Sequence, residues 1–179
     1  MTEAGKIYGE ALYSLAREEG LDDVILSQIK VLDEGFRQEP EYLRLLSIPS
    51  LPKAERCEIL DNAFRGQVQP FVLNFLKILT EKGYIRRFSD CVEAYTSLYN
   101  QEHGILSVTA VTAVALTEAQ SDRLKEKLSA ITGKQIALTN KLDASVLGGM
   151  RLDYDGKRMD DTVAHRLGAL GSRLKNTVL

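Results

Sequence analysis

Between Glu3 and Glu102, apolar residues recur at every third or fourth position. This spacing is typical of amphipathic helices, which bury one face and expose the other. Glycine and proline interrupt the pattern and divide the segment into about six predicted helices. The interruptions lie at Gly20, Pro40, Pro49 to Pro52, Gly66 to Pro70 and Gly83. Because the connections are so short, the pattern predicts a compact antiparallel bundle of six helices.

The first and fifth predicted helices have the clearest apolar faces. The face of the first helix is predicted to consist of Ile7, Tyr8, Ala11, Leu12, Leu15 and Ala16, and that of the fifth of Phe71, Val72, Phe75, Leu76 and Leu79. Such faces are needed for the core, yet a groove between two helices also accepts a helix from a partner. The sequence does not separate core positions from groove positions.

After Gly104 the pattern changes to that of a small α+β domain. The segment from Ile105 to Leu116 is rich in β-branched residues and predicts a strand. Thr117 and Gln120 form a capping box for a helix with Leu124, Leu128 and Ile131 on its apolar face, ending at Gly133. Two further strand signals follow, namely alternation at Ile136, Leu138 and Leu142 and a hairpin around Tyr154-Asp155-Gly156, and Asp161 is placed to cap a final helix. The prediction is an α+β protein with domains 1–104 and 105–179.

The overall composition is ordinary for a chain of 179 residues, 44% of them hydrophobic. The two predicted domains differ in charge: residues 1–104 hold 12 basic and 17 acidic side chains, and residues 105–179 hold 11 and 8. No apolar run has the roughly 20 residues of a membrane span, and the first residues lack a signal-peptide pattern, so we expect a cytoplasmic protein. Cys57 and Cys91 are too far apart for a zinc motif and are predicted to be reduced thiols in the core.

Three groups of residues in the sequence are candidates for chemistry. The acidic cluster of Asp153, Asp155, Asp160 and Asp161 lacks EF-hand spacing and is explained by a turn, a cap and neighbouring basic residues. His103 and His165 do not belong to a nucleophile motif. Gly148-Gly149 lies outside a phosphate-loop pattern and suits a close backbone approach or a bulge. We therefore expect no catalytic residues, no metal site and no cofactor.

The C-terminal half is basic, which raises nucleic-acid binding as an alternative function. The residues concerned are Lys125, Lys127, Lys134, Lys141, Arg151, Lys157, Arg158, Arg166, Arg173 and Lys175. A solvated basic face is the simpler interpretation, because a nucleic-acid-binding motif is not recognisable in the sequence. A nucleic-acid-binding regulator and a small enzyme of unknown type remain the alternatives.

Three segments together resemble the delta subunit of F-type ATP synthases, the bacterial counterpart of the oligomycin-sensitivity-conferring protein. They are KIYGEALYSLAREEG near the start, NFLKILTEKGYIRRF from Asn74 to Phe88, and LDASVLGGMRLDYDGKRMDDTVAHRL from Leu142 to Leu167. The third segment is the most specific and matches the family at Asp143, Ser145, Gly148, Gly149, Asp160, Val163, Arg166 and Leu167. In the first segment the usual Tyr-Ala pair becomes Tyr8-Gly9, which costs a helix about 0.5–1 kcal/mol.

The resemblance implies a non-catalytic stator subunit, one copy per complex, peripheral on the cytoplasmic side of the cell membrane. The N-terminal domain is expected to bind N-terminal segments of alpha subunits of the catalytic head, and the C-terminal domain to bind b-type subunits of the peripheral stalk. By matched position, the candidates for the head-facing groove or its supporting core are Ile7, Tyr8, Ala11, Val72, Phe75, Leu76 and Leu79. The glycine pair and the last helix are candidates for holding the stalk-facing domain in shape.

Overall fold

A computed structural model describes residues 2–146, 148–154 and 156–162 of the chain. The chain divides into two compact units, Met1–Tyr99 and Asn100–Leu179. The described part is mostly helical, with a four-stranded sheet in the second unit, so the chain is an α+β protein as predicted. No helix within these described ranges is both long and apolar enough to span a membrane.

Six α-helices lie where the apolar periodicity predicts them. They are α1 (Glu3–Glu18), α2 (Asp22–Gln38), α3 (Pro40–Leu46), α4 (Lys53–Phe64), α5 (Pro70–Glu81) and α6 (Phe88–Glu102). Pro40 and Pro70 each occupy the first helical turn, where the missing N–H of proline is not needed. A short 3₁₀-helix, Ile85–Arg87, precedes α6 and was not predicted.

The core of the first unit contains most of the predicted apolar faces together with a set of aromatic contacts. The rings of Tyr13 and Tyr95 meet edge to face at 5.1 Å, and the Tyr95 hydroxyl donates a hydrogen bond of 2.9 Å to the carbonyl of Asp22. The buried carboxylate of Asp33 is also paired, because it accepts from the Ser89 hydroxyl and lies 2.7 Å from the Arg37 guanidinium. These polar contacts connect α2 to α6.

The buried face of α1 agrees with the prediction only in part, since Leu12 and Ala16 are buried as predicted. Its buried residues are Gly5, Gly9, Leu12, Tyr13 and Ala16. Ile7, Ala11 and Leu15 are exposed instead. The reason is steric: a Cβ on Gly5 would lie 2.4 Å from the Cβ of Asp90, so α1 presents its glycines to α6. A hydropathy pattern does not identify a helix face that is buried because its glycines have no side chains.

The described part of the second unit contains four strands and one long helix. They are β1 (Ile105–Thr112), α7 (Glu118–Thr132), β2 (Gln135–Leu142), β3 (Met150–Tyr154) and β4 (Lys157–Asp160). The strand order is β2-β1-β3-β4, in which β1 and β2 are parallel and the other pairs antiparallel. The predicted strands and hairpin are therefore present, and a short 3₁₀-helix at Ala144–Val146 is additional.

Helix α7 crosses between the two parallel strands and packs on one face of the sheet. Its predicted capping box is formed, since Thr117 Oγ1 accepts from the Gln120 amide and Gln120 Oε1 accepts from the Thr117 amide. Leu124 and Leu128 pack against buried sheet residues, but Ile131 is 81% exposed. The prediction of Ile131 as part of the packed face was wrong, because Ile131, in the last turn of α7, lies outside the cluster that Leu124 and Leu128 join.

Candidate partner-binding site

The exposed apolar residues of α1 and of the α5 region define the first candidate site. Ile7 is 58% exposed, Ala11 is exposed and Tyr8 is half-buried. On α5, Ile78 is 45% exposed, and Tyr84 just beyond the helix is exposed as well. We call these five residues the α1–α5 surface. Ile78 and Tyr84 were not identified from the sequence, although Ile78 lies one position from the predicted apolar face.

A ring contact ties the two parts of this surface together. The rings of Tyr8 and Tyr84 lie 5.8 Å apart at an angle of 47°. Tyr84 is held at the end of α5, where its amide donates a hydrogen bond of 2.7 Å to the Leu79 carbonyl. The start of α1 and the end of α5 are therefore neighbours, which is the arrangement that a groove between these helices requires.

The four α5 candidates lie in the core rather than on the surface. Val72, Leu76 and Leu79 are completely buried, and Phe75 is only 7% exposed. Phe75 faces the ring of Phe88 at a centroid distance of 6.4 Å. Of the two roles left open by the sequence, these residues have the geometry of supporting core, because a partner cannot touch a side chain without accessible surface.

The start of α1 is fixed to α6 by a carboxylate. Asp90 Oδ2 accepts hydrogen bonds from the Thr2 amide at 3.0 Å and from the Thr2 hydroxyl at 2.6 Å. The same hydroxyl accepts from the Gly5 amide at 3.3 Å and so caps α1. The hydrogen bond from the Thr2 hydroxyl is the main cause that lowers the pKa of Asp90 below its usual value.

The two cysteines show no sign of activation. Cys91 is buried, and burial raises its pKa to about 12. Cys57 is half-buried rather than part of the core, which corrects the prediction. Its Sγ lies 3.7 Å from Glu81 Oε1, and burial followed by the charge of Glu81 raises its pKa. Both thiols are therefore protonated at neutral pH and are poor nucleophiles.

A cavity of about 1170 Å³ lies on another side of the first unit. Its walls come from α2, α3 and the end of α4, and include the mutually packed rings of Phe36, Tyr42 and Phe64. None of the residues predicted for partner binding lines it. The sequence did not reveal this cavity, because its walls come from three helices whose apolar faces look like ordinary core.

In the second unit, the described part of the C-terminal signature forms two tight turns. Asp143 Oδ1 accepts from the Ser145 amide at 2.9 Å and from its hydroxyl at 2.6 Å. These two hydrogen bonds, with the hydroxyl contributing more, lower the pKa of Asp143. Asp160 Oδ1 accepts from the Thr162 amide at 3.0 Å, which closes a turn after β4. The cap predicted for Asp161 involves the final helix, which lies outside the described residues.

The glycine pair of the signature marks a close backbone approach. Gly149 has φ of +80°, and a Cβ on it would lie 2.6 Å from the Asp161 carbonyl oxygen. The Asp161 amide in turn donates to the Met150 carbonyl at 3.2 Å. The close-approach interpretation is confirmed for Gly149. Val163, Arg166 and Leu167, together with Asp155, His165 and the predicted final helix, lie outside the described residues.

Asp153 on the hairpin is paired with two arginines. Asp153 lies opposite Arg158 in the register of β3 and β4, and Arg158 Nε is 2.8 Å from Asp153 Oδ1. Arg151 Nε lies 3.4 Å from the other oxygen of Asp153. The hydrogen bond from Arg158 is the main cause that lowers the pKa of Asp153. Asp153 is thus engaged by guanidinium groups, which is the ordinary cross-strand arrangement and not that of a cation site.

The fold defines a class of protein: a two-unit α+β chain with a helical unit and a unit built on a four-stranded sheet. Residues 4–174 match the family model described as "ATP synthase delta (OSCP) subunit". The chain belongs to the ATP synthase delta (OSCP) subunit family, and the resemblance seen in its sequence is confirmed. It is accordingly a structural subunit of an F-type ATP synthase rather than an enzyme in its own right.

Similar proteins support the same assignment. The chain is 32% identical over 171 residues to ATP synthase subunit delta of Lachnoclostridium phytofermentans, covering 94% of this chain and 93% of that protein. It is 30% identical over 174 residues to the subunit of Alkaliphilus oremlandii, covering 97% of each. The fold resembles a chain of the Toxoplasma gondii mitochondrial ATP synthase hexamer, with a TM-score of 0.79, 18% identity and coverage of 97% and 98%.

Proposed function

We propose that this chain is the stator subunit that links the catalytic head of the ATP synthase to its peripheral stalk. The observation that carries the proposal is the family match from residue 4 to residue 174, since it includes both units. Residues 1–104 form a head-binding domain, an antiparallel bundle of six helices. Residues 105–179 form a stalk-binding domain.

The head-binding domain takes N-terminal segments of alpha subunits on the α1–α5 surface. An amphipathic helix binds a groove through apolar anchors spaced at i, i+3, i+4 and i+7. The exposed side chains of Ile7 and Ile78 offer apolar contacts for such anchors, and the buried Val72 and Phe75 hold α5 in place beneath them. The rings of Tyr8 and Tyr84 form one end of the site.

The stalk-binding domain engages the b-type subunits, and one copy of the chain serves each complex. The complex places it at the cytoplasmic side of the cell membrane, held there through its partners. The Asp143 turn after β2, the Asp160 turn after β4 and the contact of Gly149 with Asp161 keep this domain in shape. They have no role in chemistry.

The mechanism is mechanical. Proton flow turns the rotor, and the reaction torque would turn the head with it unless the head were held. A link with one site for the head and one for the stalk prevents this rotation. Because binding at one site raises the effective concentration at the other, two modest interfaces hold together under load.

Co-purification tests the proposal as a whole. An affinity-tagged chain isolated from solubilised membranes is expected to recover alpha, beta, gamma and b-type subunits. Recovery of nucleic acid without synthase subunits would favour the nucleic-acid-binding regulator instead. Recovery of neither class would also count against a stator.

A point variant tests the head site. Ile7→Asp places a charge on the α1–α5 surface and is expected to weaken binding to delta-depleted catalytic head by about tenfold or more, as for an apolar interface anchor. The matched control is Val31→Asp, because Val31 is 72% exposed on α2 and lies outside this surface. Equal affinities for the two variants in a titration would show that the site lies elsewhere.

A further inference from the structure

Two glycines at a spacing of four residues bring the backbone of α1 directly onto α6. Gly5 and Gly9 lie on the same side of α1 and are both buried. A Cβ on Gly9 would lie 2.5 Å from the Cys91 carbonyl oxygen and 2.7 Å from the Ala94 Cβ. Ordinary carbon contacts lie at about 3.5–4.0 Å. A side chain at either position therefore moves α1 outward by about an ångström.

The same end of α1 is also fixed along its axis. Asp90 accepts both hydrogen bonds from Thr2, and its Cβ is the atom that a Cβ on Gly5 would meet first. Asp90 thus fixes the first turn of α1 on α6. One turn later, Cys91 and Ala94 determine how closely α1 approaches α6.

Ile7 and Tyr8 lie between the two glycines. The contact of α1 with α6 therefore sets the backbone position of Ile7 and Tyr8. The Tyr8 ring in turn packs on the Tyr84 ring, with 5.8 Å between the ring centroids. Movement of α1 away from α6 changes where these two side chains stand relative to Tyr84 and Ile78. Those four residues belong to the α1–α5 surface.

We propose that Gly5 and Gly9 are positioning residues for head binding, which preorganise the α1–α5 surface by fixing α1 on α6. This inference rests on the proposed function of that surface. Neither glycine touches the partner. Their effect is on the geometry of the site, and a preorganised site loses affinity when its two halves are shifted apart.

The test is a graded pair of substitutions in the full-length chain, titrated against delta-depleted catalytic head well below the unfolding temperature of each variant. Gly9→Ala is expected to weaken affinity about threefold and Gly9→Val about tenfold or more, mainly through faster dissociation. Gly35→Ala and Gly35→Val are the matched controls, because Gly35 is also helical and a Cβ there meets nothing within 4 Å. Both are expected to bind within about twofold of the parent chain.

A second control separates positioning from general loss of stability. Leu60→Ala removes a fully buried side chain of α4 and lowers the unfolding temperature without involving α1. It is expected to bind the head normally at a temperature where it is folded. If Gly9→Ala and Gly9→Val bind like Leu60→Ala, the positioning role is wrong.

A milder variant applies if the Gly9 substitutions do not fold. Thr2→Val removes the hydroxyl that donates to Asp90 and caps α1 through the Gly5 amide, without adding a side chain between α1 and α6, and is expected to weaken head binding as well. Unchanged affinity would overturn the inference. Absence of head binding by the parent chain itself would instead overturn the proposed function, so the two failures are distinguishable.

Discussion

At the scale of single residues, Gly149 lies where the chain leaving β4 passes over the beginning of β3. Its φ of +80° is in the region that favours glycine, and the Asp161 carbonyl oxygen occupies the space that a Cβ would need. Two costs therefore act at one position: the backbone conformation and the close contact. At Gly133, which ends α7 with φ of +67°, a Cβ meets nothing within 4 Å.

This contrast predicts different costs for one kind of substitution. Gly133→Ala is expected to destabilise the second unit by about 1 kcal/mol, the cost of a left-handed alanine. Gly149→Ala is expected to cost more than about 2 kcal/mol, because the contact with Asp161 is added to the strain. Since the chain has no tryptophan and six of its seven tyrosines lie in the first unit, exchange of the β1 and β3 amides is the suitable measurement. Equal exchange in the two variants would show that the contact with Asp161 relaxes without cost.

Individual residues also show where sequence reasoning stops. The capping box at Thr117 and the close approach at Gly149 were predictable, because both depend on residues near each other in sequence. The burial of Gly5 and Gly9 was not predictable, since it depends on Asp90 and Cys91 of a helix some 80 residues later. Gly9 was interpreted as a weak point of α1, whereas it lies in close contact with Cys91 and Ala94 of α6.

At the scale of elements, α5 has two kinds of apolar residue that the sequence does not distinguish. Phe75 is 7% exposed and packs on Phe88, whereas Ile78, one turn away, is 45% exposed. Phe75→Asp buries a charge without a partner and is expected to cost more than about 3 kcal/mol of unfolding free energy. Ile78→Asp is expected to cost less than about 1 kcal/mol, because its carboxylate stays in water.

Urea unfolding followed by far-UV circular dichroism measures this difference. The two variants carry the same new side chain on the same helix, so each is the control for the other. A Phe75→Asp protein as stable as Ile78→Asp would mean that α5 is not packed as the structure has it. Ile78→Asp is also the better probe of head binding, since the loss of binding in Phe75→Asp would only report unfolding.

Most elements were predictable because their limits are local. Proline at the start of α3 and α5 and glycine after α1 and α7 mark the helix ends in the sequence itself. The orientation of a helix about its own axis was less predictable: α1 turns its glycines inward and α7 leaves Ile131 exposed. For α1 the partner helix determines this orientation, because α6 leaves no room for a Cβ at Gly5 or Gly9.

At the scale of the whole molecule, the family match from residue 4 to residue 174 includes a mostly helical unit and a unit built on a sheet. The fold class and the change of character after Gly104 were predictable, because helical and strand periodicities differ strongly. The partners could be inferred only through the resemblance. The sequence does not show whether an isoleucine is buried, exposed to solvent or in contact with a partner. The exposed surfaces could therefore be identified only from the structure.

A chain that links head and stalk must bind both. A variant in one unit is therefore expected to lose only the partner of that unit. The parent chain is expected to form a ternary complex with delta-depleted catalytic head and the soluble part of the b-type subunits. Ile78→Asp is expected to retain the b-type subunits and lose the head, because its charge lies on the α1–α5 surface. Gly149→Ala is expected to retain the head and lose the b-type subunits, because it distorts the unit proposed to bind them. Pull-down from a mixture of the components, with Val31→Asp as the unaffected control, measures all three outcomes. If either variant lost both partners while remaining folded, the two units would not bind independently, and the division of head and stalk binding between them would be wrong.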